Sequence, residues 1–230
     1  MRGKIILIEG TDCSGKQTQS ENLVKRLQED NIPVKIVSFP NYNSPTGRII
    51  GGPYLGKQQI GESWFKEGAA NVNPKVSSLY FAADRYYNLK TINDLLDQGI
   101  NVILDRYVFS NMAHQGGKIT NKEERYKFYQ WIDDLEFKLI GLPYPDMIIL
   151  LYMPYQYSIE LRNKRKEIGD GHESSTDHLI NAETSYLELA NLYHYHIINC
   201  VKDNQIRTIT NINEELYKYV KNQFAKNKTK

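Results

Sequence analysis

The sequence predicts a doubly wound α/β fold, with five parallel strands and helices on both faces of the sheet. Five short aliphatic stretches lack the alternation of a half-exposed strand, which is typical of strands buried on both faces. Longer segments of mixed polarity separate them, and this alternation of strand and helix favours a parallel sheet. The chain has 230 residues, and we expect residues 1–230 to form one domain.

The expected strands are residues 5–8, 34–37, 102–104, 147–151 and 196–198. The expected helices are residues 18–30, 74–98, 121–139, 154–166, 177–192 and 211–224. The first helix should end before Pro33, since the residue before a proline leaves helical geometry, and the second should end at Gly99. Residues 41–73 and 167–176 fit no regular element, and such long irregular segments are usually binding loops or lids.

Composition excludes several classes of protein. The formal net charge is only +2, so the charge balance favours neither nucleic acid nor a membrane surface as a partner. Cys13 and Cys200 have no metal-ligand or disulfide spacing, which favours a reducing compartment and predicts a cytoplasmic location. The apolar run at residues 5–8 is too short for a signal sequence or a membrane span.

A glycine-rich loop follows the first expected strand directly. Its residues are Gly10, Thr11, Asp12, Cys13, Ser14, Gly15, Lys16, Gln17 and Thr18, which match GxxxxGK. Backbone N–H groups of such a P-loop converge on phosphate oxygens, the next helix adds its positive N-terminus, and the lysine reaches the β- and γ-phosphates. A simple glycine turn is the alternative, but the position in the first βα turn favours ATP binding.

The metal site departs from the usual pattern, because Gln17 stands where a Ser or Thr hydroxyl normally binds Mg²⁺. The amide oxygen of Gln17 can bind the metal or a metal-bound water, since Mg²⁺ takes oxygen ligands. Asp105, at the end of the third expected strand, is the second candidate ligand.

The acceptor side is expected at the same sheet edge, because ligands gather at the carboxyl ends of parallel strands. Asp105 and Arg106 end the third strand there, unless they pair only with each other. Phe81 and Arg85 lie four residues apart on one helical face, where a ring and a guanidinium can act on one nucleotide. A core aromatic beside a surface arginine is the alternative for that pair.

These motifs, taken together in order, resemble the thymidylate kinases. They are the P-loop, Phe39-Pro40, the Phe-x-x-x-Arg of residues 81–85, the Asp-Arg-Tyr-x-x-Ser of residues 105–110 and the basic segment 162–166. The resemblance runs from about residue 4 to residue 192. It implies a P-loop NTPase fold with a short lid at about residues 162–176. It also implies a homodimer packed through helices such as 74–98, and transfer of the γ-phosphoryl group of ATP to dTMP with Mg²⁺.

The resemblance also implies roles for residues of the acceptor pocket. Phe81 would stack on thymine, Arg85 would hold the acceptor phosphate, Asn111 would contact the base edge, and Asp12 would meet the 3′-hydroxyl or the magnesium shell. The remaining residues of this expected dTMP site are Phe39, Pro40, Arg106, Ser110, His114 and Gln115. Two positions depart from the family, since Asn41-Tyr42 replaces an arginine and His114 replaces a Tyr or Phe beside the deoxyribose.

On the ATP side, Arg162 resembles the residue that packs on adenine. The family carries its catalytic arginine either in the P-loop or in the lid, and the loop position here is Cys13, so the lid must supply it. Arg165 is the expected residue, with Lys164 and Lys166 as alternatives. The expected catalytic set is Lys16, Asp105, Arg106 and Arg165.

Other functions remain open at this point. A deoxynucleoside kinase would phosphorylate a hydroxyl and need a carboxylate base, which Phe81 with Arg85 disfavours. A regulator of the same fold would bind ATP without transferring phosphate, as the unusual residues Gln17, Asn41 and His114 suggest. A nucleic-acid-remodelling ATPase would need a basic track with aromatics, which the sequence lacks.

Overall fold

The computed structural model describes residues 2–165 and 176–226, and for residues 163–165 it describes the backbone alone. The described chain contains a sheet of five parallel strands in the order β2-β3-β1-β4-β5. The strands are β1 Ile5–Gly10, β2 Val34–Ser38, β3 Asn101–Asp105, β4 Met147–Tyr152 and β5 His196–Asn199. All five expected strands and the expected fold class are thus confirmed.

Eight α-helices accompany the sheet in the described residues: α1 Lys16–Glu29, α2 Pro45–Ile49, α3 Pro74–Asp97, α4 Val108–Gly116, α5 Lys122–Asp133, α6 Tyr155–Arg165, α7 Thr176–Leu192 and α8 Ile209–Lys226. A π-helical turn, Asp134–Leu139, continues α5. The six expected helices are present, while α2, α4 and a short hairpin of β6 Val201–Lys202 with β7 Gln205–Ile206 were not expected. Most of the expected lid lies outside the described residues, as does the side chain of Arg165.

The central strand β1 is buried on both faces, which explains its unalternating sequence. Ile5 and Leu7 pack into a core with side chains of α4, α5 and α7. Ile6 and Ile8 point to the opposite face, into a second core with side chains of α1 and α8. No helix of the described chain is long and apolar enough to cross a membrane.

The unexpected helix α2 begins with a standard capping signal. The hydroxyl of Ser44 accepts a hydrogen bond from the backbone N–H of Gly47 at 3.0 Å, and Pro45 occupies the first turn. A π-helical turn, Ile50–Tyr54, follows at once. The segment 41–73 therefore begins with ordered turns rather than with an irregular loop.

Asp84 on α3 anchors the start of this segment. Its buried carboxylate accepts hydrogen bonds from the backbone N–H of Asn41 at 2.8 Å and from the hydroxyls of Ser44 at 2.9 Å and Thr46 at 2.7 Å. The side-chain amide of Asn88 donates a fourth bond at 3.0 Å. One carboxylate thus fixes residues 41–46 against the helix that also carries Phe81 and Arg85.

Replacing this carboxylate should destabilise the fold. We expect Asp84→Ala to lower the free energy of unfolding by about 3 kcal/mol, because buried donors lose their acceptor. Urea denaturation measures the change. Asp94→Ala is the control, since the exposed pair of Asp94 with Lys90 should contribute less than about 1 kcal/mol. Equal losses in the two variants would contradict the assigned role of Asp84.

Candidate active site

The P-loop connects β1 to α1, as the sequence indicates. Gly10 has no room for a side chain, since a Cβ atom there would lie 2.9 Å from the carbonyl oxygen of Leu151. Cys13 and Gly15 adopt left-handed backbone angles, with φ of 57° and 78°. The turn therefore directs the chain into α1, whose first residue is Lys16.

Two contacts hold the loop against the end of β4 and the start of α6. The hydroxyl of Thr11 donates to the carbonyl oxygen of Met153 at 2.6 Å and accepts from its N–H at 2.9 Å. Ser158 donates to the carbonyl oxygen of Asp12 at 2.6 Å. Because α6 leads into the expected lid, the phosphate loop is coupled directly to the lid helix.

Lys16 is buried beneath the loop. Its ammonium donates to the carbonyl oxygens of Gly10 at 2.9 Å and Thr11 at 3.1 Å. Burial, together with the nearby positive charge of Arg106, lowers the pKa of Lys16 to about 8. About half of the Lys16 side chains are therefore neutral near pH 8.

The ten residues expected to bind the acceptor all line one cavity next to the loop. They are Asp12, Phe39, Pro40, Phe81, Arg85, Arg106, Ser110, Asn111, His114 and Gln115. The same cavity is lined by Tyr42, Leu55, Lys57 and Tyr107, which sequence reasoning did not select. Leu55 and Lys57 belong to the segment 41–73, whose path over the cavity depends on the Asp84 anchor.

Arg85, which the sequence resemblance assigns to the acceptor phosphate, is paired with a buried carboxylate. Its Nε and Nη2 atoms donate to the two carboxylate oxygens of Glu136 at 2.5 and 2.6 Å, and both side chains are buried. Its Nη1 atom donates to the carbonyl oxygen of Tyr107 at 3.3 Å. Sequence reasoning missed Glu136, because it follows a helix far along the chain and belongs to no motif. The paired carboxylate leaves Arg85 with little net charge for an acceptor phosphate.

Arg106 lines the same cavity, next to the P-loop. Its backbone is left-handed, with φ of 66°, so the side chain turns back toward β1. Its Nη2 atom lies 3.4 Å from Oδ1 of Asp12, and its Nη1 atom lies 3.1 Å from Nε2 of His114. The carboxylate paired with Arg106 is therefore that of the P-loop residue Asp12, rather than that of its neighbour Asp105.

Two side-chain oxygens on α4 have no hydrogen-bond partner within the described chain. They are Oδ1 of Asn111 and Oε1 of Gln115, both buried. The amide nitrogen of Asn111 donates to Glu136 at 3.1 Å, which turns its oxygen away from that carboxylate. Because buried acceptors are rarely left unpaired, these oxygens fit a ligand that presents an N–H donor to the cavity.

Sequence reasoning also missed Glu9, a fully buried acid in β1. Burial raises the pKa of Glu9 even though several hydrogen-bond donors meet its carboxylate. The signal that could have found it is a charged residue within an otherwise aliphatic strand, directly before the glycine-rich loop. A charge in such a place needs specific partners.

Comparison with known proteins agrees with this geometry. A family model described as thymidylate kinase matches residues 8–211. The chain belongs to the thymidylate kinase family.

Similar proteins come from distant organisms. The chain is 31% identical over 167 residues to the thymidylate kinase of Plasmodium falciparum, a match that covers 73% of this chain and 70% of that protein. It is 32% identical over 169 residues to the thymidylate kinase of Dictyostelium discoideum, covering 73% of this chain and 64% of that protein. The structure of thymidylate kinase from Candida albicans superposes with a TM-score of 0.73 at 27% identity, covering 96% and 92% of the two chains.

The expected metal ligands lie at the P-loop edge of the sheet. Asp105 and Gln17 line a cleft beside the acceptor cavity, together with Ser20, whose buried hydroxyl lacks a partner in the described chain. The amide nitrogen of Gln17 donates to Glu21 at 3.0 Å. The described residues hold no cluster of three or more His, Cys, Asp or Glu ligands. One carboxylate with phosphate oxygens and waters is a usual environment for Mg²⁺, so these residues fit that ion.

The lowered pKa of Lys16 has a measurable consequence. At pH 8 about half of the Lys16 side chains are neutral, and phosphate oxygens bound at the loop would raise the pKa and draw in a proton. We expect ATP binding at pH 8 to be accompanied by the uptake of roughly half a proton per site, and this uptake should fall toward zero at pH 6.5. Protons that ATP itself gains or loses on binding are subtracted first.

Calorimetry in two buffers of different ionisation enthalpy measures this proton uptake. The comparison uses Mg²⁺ and ATP at each pH. A binding enthalpy at pH 8 that does not depend on the buffer would contradict the assignment of the titrating group to the P-loop lysine.

Proposed function

We propose that this member of the thymidylate kinase family transfers the γ-phosphoryl group of ATP to dTMP, giving dTDP and ADP. The proposal rests on one observation: Asp12 contacts Arg106, and both line the acceptor cavity. Asp12 comes from the P-loop, and Arg106 follows the end of β3. An acceptor phosphate bound at this end of the cavity would lie next to ATP phosphates held by the P-loop. Phosphoryl transfer depends mainly on such positioning and on neutralisation of charge.

The acceptor base is assigned to the end of the cavity lined by Phe81 and α4. Tyr54 meets Phe81 edge to face, with ring centres 5.8 Å apart, and so supports a ring that would stack on thymine. One of the unpaired oxygens, that of Asn111 or that of Gln115, would accept a hydrogen bond from the single ring N–H of thymine. Arg85, held by Glu136, would line this end and direct its remaining N–H groups to the base.

The acceptor phosphate is assigned to Arg106, whose guanidinium lies closest to the P-loop. His114 contacts Arg106 and is placed beside the deoxyribose, with Phe39, Pro40 and Ser110 completing the wall. Asn41-Tyr42 stands where the family has an arginine, so Arg106 carries more of the phosphate's charge here. Asp12, already paired with Arg106, is placed at the 3′-hydroxyl or the magnesium shell.

On the donor side, residues 10–18 would hold the phosphates of ATP, with Lys16 at the β- and γ-phosphates. Mg²⁺ would be held by Asp105 and by Gln17 directly or through water, and it would neutralise the transferring group. Arg162 is proposed to pack on adenine, and Arg165 to reach the transferring phosphoryl group from the lid.

Release of ADP with different acceptors tests the proposal. Purified protein with ATP and Mg²⁺ is mixed with dTMP, dUMP, dGMP, dCMP, AMP or thymidine, one at a time. We expect strong stimulation by dTMP. Thymidine-dependent release would instead identify a deoxynucleoside kinase, and tight ATP binding without stimulation by any acceptor would identify a regulator.

The lid arginine gives a sharper prediction. Arg165→Ala should lower turnover by about 10³-fold while leaving dTMP affinity within a few-fold, because an arginine finger acts on the transition state. Steady-state kinetics with a separate dTMP binding measurement distinguishes the two effects. Lys164→Ala and Lys166→Ala serve as comparisons, and a larger loss in either would transfer the role to that lysine.

A homodimer is proposed from the exposed apolar face of α3. Val76, Leu79, Tyr86 and Tyr87 are 41 to 59% exposed, and the spacings from Val76 to Leu79 and from Leu79 to Tyr86 bring those side chains to one face. A second copy of the same helix would cover this face through a symmetric contact. A cytoplasmic location stays a prediction from composition.

Disrupting this face should give a monomer. We expect Leu79→Glu to halve the mass measured by sedimentation equilibrium, because a buried unpaired charge disfavours the interface. Ile209→Glu is the control, since Ile209 is exposed and begins α8, which packs on the opposite face of the sheet from α3. A wild-type protein that sediments as a monomer would refute the dimer proposal.

A further inference from the structure

The buried carboxylate of Glu9 joins three elements that surround the acceptor phosphate. Its Oε1 atom accepts hydrogen bonds from the backbone N–H groups of Tyr107 and Ser110, each at 3.0 Å. Its Oε2 atom accepts from the hydroxyls of Ser110 at 2.5 Å and Tyr186 at 3.3 Å. Glu9 belongs to β1, Ser110 to α4 and Tyr186 to α7, so the carboxylate fixes the two helices to the central strand.

The Oε1 contacts complete the start of α4. The N-cap residue Tyr107 makes no side-chain capping bond, so the first N–H groups of the helix need an acceptor from elsewhere. Glu9 supplies that acceptor from 98 residues away in sequence. Its negative charge is also favourable at the positive end of the helix.

The Oε2 contacts reach Arg106 through two hydroxyl groups. The Nη1 atom of Arg106 lies 3.5 Å from the hydroxyl of Ser110 and 3.4 Å from that of Tyr186. A guanidinium can only donate, so both hydroxyl oxygens must accept from it and send their own hydrogens elsewhere. Ser110 donates to Glu9, while the Tyr186 hydroxyl lies 3.3 Å from Glu9 and 3.1 Å from the Ser110 hydroxyl, so its hydrogen bonds lead to the carboxylate directly or through Ser110. The network therefore runs in one direction, from Arg106 through the hydroxyls to the carboxylate.

We propose that Glu9 is the positioning residue that holds the Arg106 guanidinium in place for the acceptor phosphate, without touching the substrate itself. This inference rests on the proposed function, in which Arg106 binds the phosphate of dTMP. Glu9 supplies the negative charge and the hydrogen-bond direction that keep Nη1 of Arg106 against α4 and α7. Nη2 then faces Asp12 and the P-loop.

The test is the variant Glu9→Gln, which preserves the shape of the side chain. The amide nitrogen would donate to the hydroxyls of Ser110 and Tyr186, whereas the carboxylate oxygen accepts from them. Calorimetry compares the affinities for dTMP and for thymidine, which lacks the phosphate. We expect dTMP affinity to fall by about ten- to a hundredfold, the range of a lost charge-assisted hydrogen bond. The affinities for thymidine and for ATP should change by less than about threefold, since neither molecule is proposed to bind the guanidinium of Arg106.

A double-mutant cycle with Arg106→Ala checks that Glu9 acts through the arginine. In the Arg106→Ala background, Glu9→Gln should change kcat/KM for dTMP by less than about threefold, because the interaction partner is already absent. Tyr186→Phe provides a second test that keeps the carboxylate, and it should also weaken dTMP more than thymidine. The control is Tyr195→Phe, which removes a buried hydroxyl without a partner in the described chain.

Two results would overturn the inference in a wild-type enzyme that phosphorylates dTMP. Equal losses of dTMP and thymidine affinity in Glu9→Gln and Tyr186→Phe would indicate a general structural role. Independent effects of Glu9→Gln and Arg106→Ala would show that the carboxylate does not act through the arginine. A wild-type protein without dTMP-dependent turnover would instead refute the proposed function, which the variants do not test.

Discussion

The parallel pairing of β1 with β3 is the constraint on which the site depends. Ile5 pairs with Val102 and Ile8 pairs with Asp105, so the two strands run side by side and end at the same edge of the sheet. The P-loop follows one strand and Arg106 follows the other. Asp12 and Arg106 can therefore form an ion pair although they lie 94 residues apart in sequence. This contact lies in the lining of the acceptor cavity, next to the P-loop.

The cations of this cavity and of the P-loop each have an internal partner. Arg85 is paired with Glu136, Arg106 with Asp12, and the ammonium of Lys16 with two carbonyl oxygens. Such pairing reduces the cost of burying each charge. A phosphate that enters the cavity competes with these internal partners, so its binding depends on how firmly each cation is already held. Arg85 is held by two short hydrogen bonds and is therefore less available to a phosphate than Arg106, whose contact with Asp12 is longer.

Much of the fold could be predicted from sequence, because β1 to β5 and the P-loop are specified by local patterns. The failures have a physical cause in contacts between distant segments. The start of α4 lacks a local cap, since its acceptor is Glu9 on another strand. The helix α2 has a local signal in Ser44 and the proline after it, but it lies within the segment 41–73, which the sequence predicts to be irregular.

The same distinction applies to the site. The ten acceptor residues were selected from motifs, and the structure places them around one cavity. The compensation of Arg85 could not be predicted, because its partner Glu136 lies 51 residues away and belongs to no motif. Nor does any local pattern show that Leu55 and Lys57, within a segment predicted to be irregular, line the cavity.

The central claim is that the phosphate of dTMP is the acceptor of the γ-phosphoryl group. Phosphorus NMR of a mixture of the protein, ATP, Mg²⁺ and dTMP tests it directly by identifying the product. The account predicts that the α- and β-phosphate doublets of dTDP grow in step with those of ADP while the dTMP singlet declines. Growth of an inorganic phosphate signal with the dTMP signal unchanged would contradict it.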